Sequence, residues 1–218
     1  MPILRHAARR PVPALTLTRQ QQRTAATRAK LLTAAQHVFA RDGFEASRLE
    51  DIAARAGFTR GAFYANFDSK EDLLFALMER VVTEKVQAIQ TLLERRQTPQ
   101  ERLQALREYY ASLAGDRHWV LLLLEFKLFA VRHREARSRL VERYRKLRAP
   151  GRQLLESLVG TLDRSLPISS NATTIALGAL SNALLIESVL DPKALTGNEI
   201  QFLLGMFFDA LIGNPPRV

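Results

Sequence analysis

Past its first ~20 residues the chain spaces apolar side chains three and four apart, and no segment alternates in the way of a half-buried strand. Nothing else constrains the fold as strongly. Leu31, Ala34, Ala35, Val38 and Phe39 make one stripe, and the Asp42-Gly43 pair ends it. "SRLE" reads as a capping box with Ser47 as N-cap, opening a short helix from Leu49 to Ala56 that stops at Gly57. Thr59 caps another short helix, to about Asn66. "SKED" opens a long one, with Ser69 as cap and Asp72 reaching back. "TPQE" opens the next, with Pro99 at the first helical position. His118 to Val131 is apolar nearly all round, as expected of a central helix. A helix from about Glu135 to Leu166 keeps one register across Pro150-Gly151, which predicts a kink rather than a break. Two more, Asn171 to Leu190 and Gly197 to Ile212, complete the chain.

The expectation is therefore an all-α protein of about nine helices. Residues 1–23 read as a flexible basic tail, because Pro11 and Pro13 oppose helix. Short helices fill residues 24–85, with a helix-turn-helix over 48–67. A helical bundle fills residues 86–218.

Composition narrows the function. The chain has 218 residues and no cysteine, so disulfides, thiolate metal sites and cysteine nucleophiles are absent. Its four histidines form no ligand pair at helical spacing, and no cofactor or metal is expected. No nucleophile–base pair or phosphate loop is visible, which argues against an enzyme. No apolar run approaches the ~20 residues a membrane span needs. The net charge is +10 and is unevenly placed. Met1 to Arg41 holds eight basic residues and no acidic one. That is the footprint of a polyanion binder, nucleic acid first.

Residues 47–67 give that charge a geometry. Ile52, Ala53 and Ala56 form the inner side of one short helix, and Phe63 and Phe67, four apart, that of the next. Arg60, Gly61, Ala62, Tyr64, Ala65 and Asn66 are left facing outward or partly so. A helix entering the DNA major groove must bring its backbone near the base edges, and small residues permit this. Gly61 sacrifices roughly 1 kcal/mol of helix propensity for such an approach. Arg60 suits guanine, Asn66 adenine or a phosphate, Ala62 a thymine methyl, and Tyr64 a phosphate. Lys70, opening the following helix, adds charge for the backbone of DNA.

"TRAKLLTAAQHVFARDGFEASRLEDIAARAGFTRGAFYANFDSKEDLL" resembles the N-terminal domain of the TetR family of bacterial transcriptional regulators, over about Thr24 to Lys85. The resemblance rests on the "AA...F...G" pattern, the "IA..AG" helix, "G..Y..F" in the recognition helix and the following "SK". It implies double-stranded DNA as partner, with contacts from Thr59, Arg60, Gly61, Ala62, Tyr64, Ala65, Asn66 and Lys70. Ser47 and Arg48 would be phosphate contacts. Arg48 stands where the family usually has a small hydroxyl residue, and Ala65-Asn66 where an aromatic or histidine is common.

The resemblance also implies a bacterial, cytoplasmic homodimer on a palindromic operator, with a bundle that holds a small, mostly apolar effector. The expected mechanism is repression relieved by that effector, or alternatively a ligand-independent dimer of the same fold. Ala172, Ala176, Ala179 and Ala183 form a small-residue stripe. With Leu204, Phe207 and Leu211 of the last helix they are the expected dimer face. Tyr109, Trp119, Leu122, Phe126, Phe129 and Leu158 are candidate effector contacts, although residues at this spacing are more often core than pocket. Glu125, inside "LLLLEFKLF", would be costly if buried without a partner. It either reaches solvent or an arginine, or it faces a ligand.

Overall fold

The computed structural model describes residues 18–112, 117–162 and 165–212, and among these it contains nine α-helices and no strand. They are α1 (Arg19–Asp42), α2 (Leu49–Arg55), α3 (Arg60–Tyr64), α4 (Lys70–Glu94), α5 (Pro99–Ser112), α6 (Arg117–Arg132), α7 (Arg134–Thr161), α8 (Ser170–Leu190) and α9 (Gly197–Ile212).

The helix starts follow local chemistry, with three departures from the sequence reading. First, α1 begins at Arg19 rather than near Thr24. The Thr18 hydroxyl accepts from Gln21 N–H and the Gln21 amide oxygen accepts from Thr18 N–H, a capping box that took the place of the expected tail over 19–23. The rest of that tail lies outside the described residues. Second, Ser47 is not the cap of α2. Arg48 holds that position without a side-chain bond, while the buried Ser47 hydroxyl donates to the Phe44 carbonyl at 2.7 Å. Third, Asp72 does not reach back to its cap. Ser69 caps α4 through Asp72 N–H, but the Asp72 carboxylate accepts from Arg143 of α7 at 3.3 Å. The "TPQE" box forms as written, with Glu101 accepting from both Gln97 and Thr98 N–H groups.

Two apolar cores organise the chain. The first gathers α1 to α4 around Leu31, Phe44, Ile52, Phe63, Phe67 and Leu77, and continues into α6 and α7 through Leu122, Phe126, Phe129, Leu140 and Leu147. The second joins α5, α7 and α9 through Leu103, Tyr110, Leu155, Leu158, Leu204 and Phe208. Helix α7 serves both, with Pro150 inside it between the two sets. The helix runs on through Pro150, as its unbroken apolar register requires. Proline has no N–H for the Lys146 carbonyl, so one rung of the ladder is missing there. Helix α6 is central but not enclosed: Leu128 and Val131 are exposed.

Helix α8 lies largely at the surface of the chain. It is long and apolar enough to cross a bilayer by length and composition, yet only 11% of its most apolar window is buried within the chain. Its open face carries Ile175, Ala179, Ala183, Glu187 and Leu190.

Candidate nucleic-acid interface

Helix α2 ends in a turn that fixes the angle of α3. Gly57 adopts φ 77°, where side chains are disfavoured, so that its N–H reaches the Ala54 carbonyl and Phe58 N–H reaches that of Ala53. Thr59 then caps α3, its hydroxyl accepting from Ala62 N–H at 3.3 Å. Phe63 and Phe67 are buried, at 0% and 2% exposure, and turn the opposite face of α3 outward.

That outer face holds Thr59, Arg60, Gly61, Tyr64 and Ala65, with Ala62 and Asn66 at its edges and exposed Arg48 beside it at the start of α2. A Cβ at Gly61 would meet only the Thr59 hydroxyl, at 3.8 Å. The protein's own packing therefore does not demand glycine there. Arg60 pairs with Glu50 of α2 at 2.9 Å and lies over the Tyr64 ring at 5.5 Å, so its exposed guanidinium is aimed rather than free. Sequence reasoning missed this partner because it had assigned Glu50 to a capping box.

Three expected contacts have other duties. The Ser47 hydroxyl is buried and bonded to Phe44, which removes it from a phosphate-contacting role. Lys70 does not project outward. Its ammonium donates to the carbonyls of Phe44, Glu45 and Ser47 at 2.8, 3.0 and 3.1 Å, and sits 4.7 Å from the Phe44 ring centroid. Lysine can tie three carbonyls because its head is a compact charge with three donors. Asn66 folds back: its amide donates to the Ala62 carbonyl at 2.8 Å, and its buried side-chain oxygen has no partner. Arg28 of α1, which the sequence reading passed over, bonds the Asn66 carbonyl at 2.7 Å and stacks over Phe67 at 4.1 Å. Its signal was only the acid-free character of α1.

The expected effector residues do not meet in one cavity. Leu122, Phe126 and Phe129 lie in the first core, with Trp119 packed against it, whereas Leu158 lies in the second and Tyr109 is half-buried on α5. Glu125 is half-buried and has a backbone partner rather than an arginine. Its carboxylate accepts from Phe44 N–H at 3.0 Å. The clefts lie elsewhere. One of about 410 Å³ opens between α4 and α7, with Phe75, Val82, Val86, Leu147 and Pro150 as its apolar surface. Another of about 950 Å³ lies where α4 starts and α6 meets α7, and is lined mostly by charged residues.

The expected dimer residues divide similarly. Leu204 is wholly buried in the second core and cannot serve an outer face; Phe207 and Leu211 are half-buried. The exposed apolar residues of α9 are instead Phe202 and Met206, at 70% and 43% exposure. Both stripes have helical spacing, so periodicity alone could not say which was the inner one.

Residues 31–77 match the sequence profile of the bacterial regulatory proteins, tetR family. Over that segment the N-terminal unit is similar to the TetR family. The chain is 27% identical over 94 residues to a fatty acid metabolism regulator protein of Bacillus subtilis, covering 43% of this chain and 48% of that protein. It is 34% identical over 99 residues to the transcriptional activator FasR of Mycolicibacterium smegmatis, covering 45% of each. The match thus spans about half the length of these relatives. In fold the likeness extends further. The crystal structure of FadR from Bacillus subtilis in complex with stearoyl-CoA superposes with a TM-score of 0.62 at 18% identity, covering 85% of this chain and 98% of that one. Within this unit, Gly57, Phe63 and Phe67 set the backbone and leave the outer residues of α3 exposed.

Proposed function

We propose that this chain is a sequence-specific DNA-binding transcriptional regulator, a repressor that meets a palindromic operator as a homodimer and is released by a small, mostly apolar effector. One observation carries the reading: the exposed face of α3, where Arg60 and Tyr64 flank the small residues Gly61 and Ala65, sits inside the segment that matches a family of regulatory proteins. Arg60, Gly61, Ala62, Tyr64 and Ala65 would lie against base edges and phosphates, and Arg48 and Thr59 against the backbone. Arg60 would exchange Glu50 for a guanine edge, so a carboxylate holds it ready without satisfying it fully. A DNA-reading role also implies a bacterial cytoplasmic protein, and the relatives' names are those of regulators rather than enzymes.

Dimerisation is supported by the open apolar faces of α8 and α9. Ile175, Leu190, Phe202 and Met206 are each more than 40% exposed in the single chain. A second copy would cover them with the same patch. The alanine positions 172, 176, 179 and 183 would allow close approach.

The α4–α7 cleft suits an effector, since its volume falls in the range of small-molecule sites. That FadR was solved with stearoyl-CoA supports an apolar ligand of some length. Arg143 lines the cleft, stacks over Phe75 at 3.8 Å and binds Asp72 in the first turn of α4. A ligand that displaces α4 would move Lys70, the residue that holds the turn before α2. It would thereby favour a state in which the two recognition helices no longer fit both half-sites.

Selection of bound fragments from random duplexes tests the central claim. A palindromic consensus is expected, and Arg60→Ala should flatten discrimination at one position of each half-site by about 1–3 kcal/mol. A purified chain that retains no duplex at low salt would refute it.

A further inference from the structure

Helix α7 presents two different faces. Arg143, Lys146, Leu147 and Pro150 look into the α4–α7 cleft. Arg145, Arg148 and Arg152, at i, i+3 and i+7, line a separate groove of about 350 Å³ against α8, together with Asn171 and Thr174. None of these five belongs to the DNA-reading unit.

The groove holds more positive charge than its surroundings neutralise. Arg148 lies 4.8 Å from the Tyr144 ring centroid, and its Nε is buried with no acceptor among the described residues. A buried guanidinium nitrogen without an acceptor forfeits a charge-assisted hydrogen bond, and an anion held by the other nitrogens of the same head would offset that cost. Arg145 is exposed, and its nearest opposing charge is Glu142, which is itself bonded to Lys146 at 3.0 Å. Arg152 meets Glu156 at 3.4 Å, and that carboxylate also accepts from the Ser170 hydroxyl. Lys127 of α6 feels the excess: burial, then the charge of Arg148, pushes its ammonium below the usual lysine range. Two carboxylates, Glu156 and the Lys146-bound Glu142, thus answer three guanidiniums, and neither is bonded to Arg148. The Asn171 side chain, exposed at the same rim, adds neutral donors.

We infer that this α7–α8 groove is a binding site for a small phosphate-bearing molecule, with Arg145, Arg148 and Arg152 gripping the phosphate and Asn171 at its edge. Planar guanidinium forks match the several oxygens of a phosphate, and three converging charges favour a di- or polyanion over a single carboxylate. The groove is small, about 350 Å³, and set between two packed helices, which suits a phosphate group rather than the side of a duplex.

Calorimetric titration of the full chain with inorganic pyrophosphate, at constant ionic strength, tests the site. Saturable binding is expected, with no response to chloride or acetate. Arg148→Gln should weaken it about tenfold, the scale of one lost charge-assisted bond. Because Arg148 packs on Tyr144, Arg145→Gln provides a second variant on an exposed residue. It should keep the wild-type melting temperature without ligand and still bind pyrophosphate several-fold more weakly. Absence of saturable binding would overturn the inference. So would binding indifferent to both substitutions, which would place the anion outside this groove, or binding abolished by saturating duplex, which would place it on the surface that meets DNA. The outcome is independent of operator recognition, which is read out through Arg60.

Discussion

The carboxylate of Glu125, in the middle of α6, accepts a hydrogen bond from the backbone N–H of Phe44 at 3.0 Å, 81 positions away in the chain. The same residue's other oxygen lies where a Cβ on Gly43 would come to 3.1 Å, and Gly43 has φ 77° and ψ 165°, a region essentially reserved for glycine. The turn that leads into the helix-turn-helix is thus pinned from the central helix of the bundle. Glu125→Ala should leave the fold intact, lower stability by about 1–3 kcal/mol and speed amide exchange at Phe44. Unchanged exchange there would mean that the bond is dispensable.

Lys70 holds the same turn from below, through three carbonyls. Lys70→Ala should therefore lower the melting temperature, and DNA affinity should fall with it. The slope of log affinity against log salt should stay as in the wild type. A lysine that contacts phosphate would instead reduce that slope by about one unit.

Gly205 of α9 lies against the Arg107 guanidinium, whose Nε donates to both oxygens of Asp209 at 2.8 and 2.9 Å. A Cβ at position 205 would fall 2.7 Å from an Arg107 nitrogen. Gly205→Ala should push the arginine aside and weaken the α5–α9 seam. The half-exposed pair itself is worth at most about 1 kcal/mol. Helix propensity gained by alanine offsets part of this, so a small drop in stability is expected from chemical denaturation. Arg107→Ala should make Gly205→Ala neutral or stabilising in the double variant.

Acid should loosen α5 and α9 at their N-terminal ends. Glu101 accepts from Gln97 and Thr98, and Glu199 from Thr196, and these hydrogen bonds hold both carboxyls below the usual glutamate value of 4.5. A depressed folded-state pKa contributes stability above the unfolded value and loses it as pH falls through the folded one. The melting temperature should therefore begin to fall as pH drops below about 4.5. The Glu101→Gln/Glu199→Gln double variant should show a shallower decline over the same interval. An identical decline would assign the acid sensitivity to other carboxylates.

The sequence carried the helix order because caps and apolar periodicity are local, and α2 to α9 start within a residue or two of the positions those signals mark. It also carried the inward pair Phe63 and Phe67, since i, i+4 spacing leaves little choice of face. It did not carry the tertiary partners of polar groups. Ser47, Glu50, Lys70 and Glu125 each had a plausible local role. Each was claimed instead by a group elsewhere: Phe44 for three of them, Arg60 for the fourth. The same limit misplaced Leu204, because α9 is apolar on two sides and only packing against α5 decides which is buried.

Helix α7 inserts Leu140 and Leu147 into one core and Leu155, Leu158 and Val159 into the other, with Pro150 between them. A single rod therefore roots in both halves of the molecule, weakened at one point along its length. Whatever lodges beside that point loads the rod where it bends most easily. Torque applied there must be shared by the helix-turn-helix half and its counterpart, since neither can let go of the rod without opening its own interior.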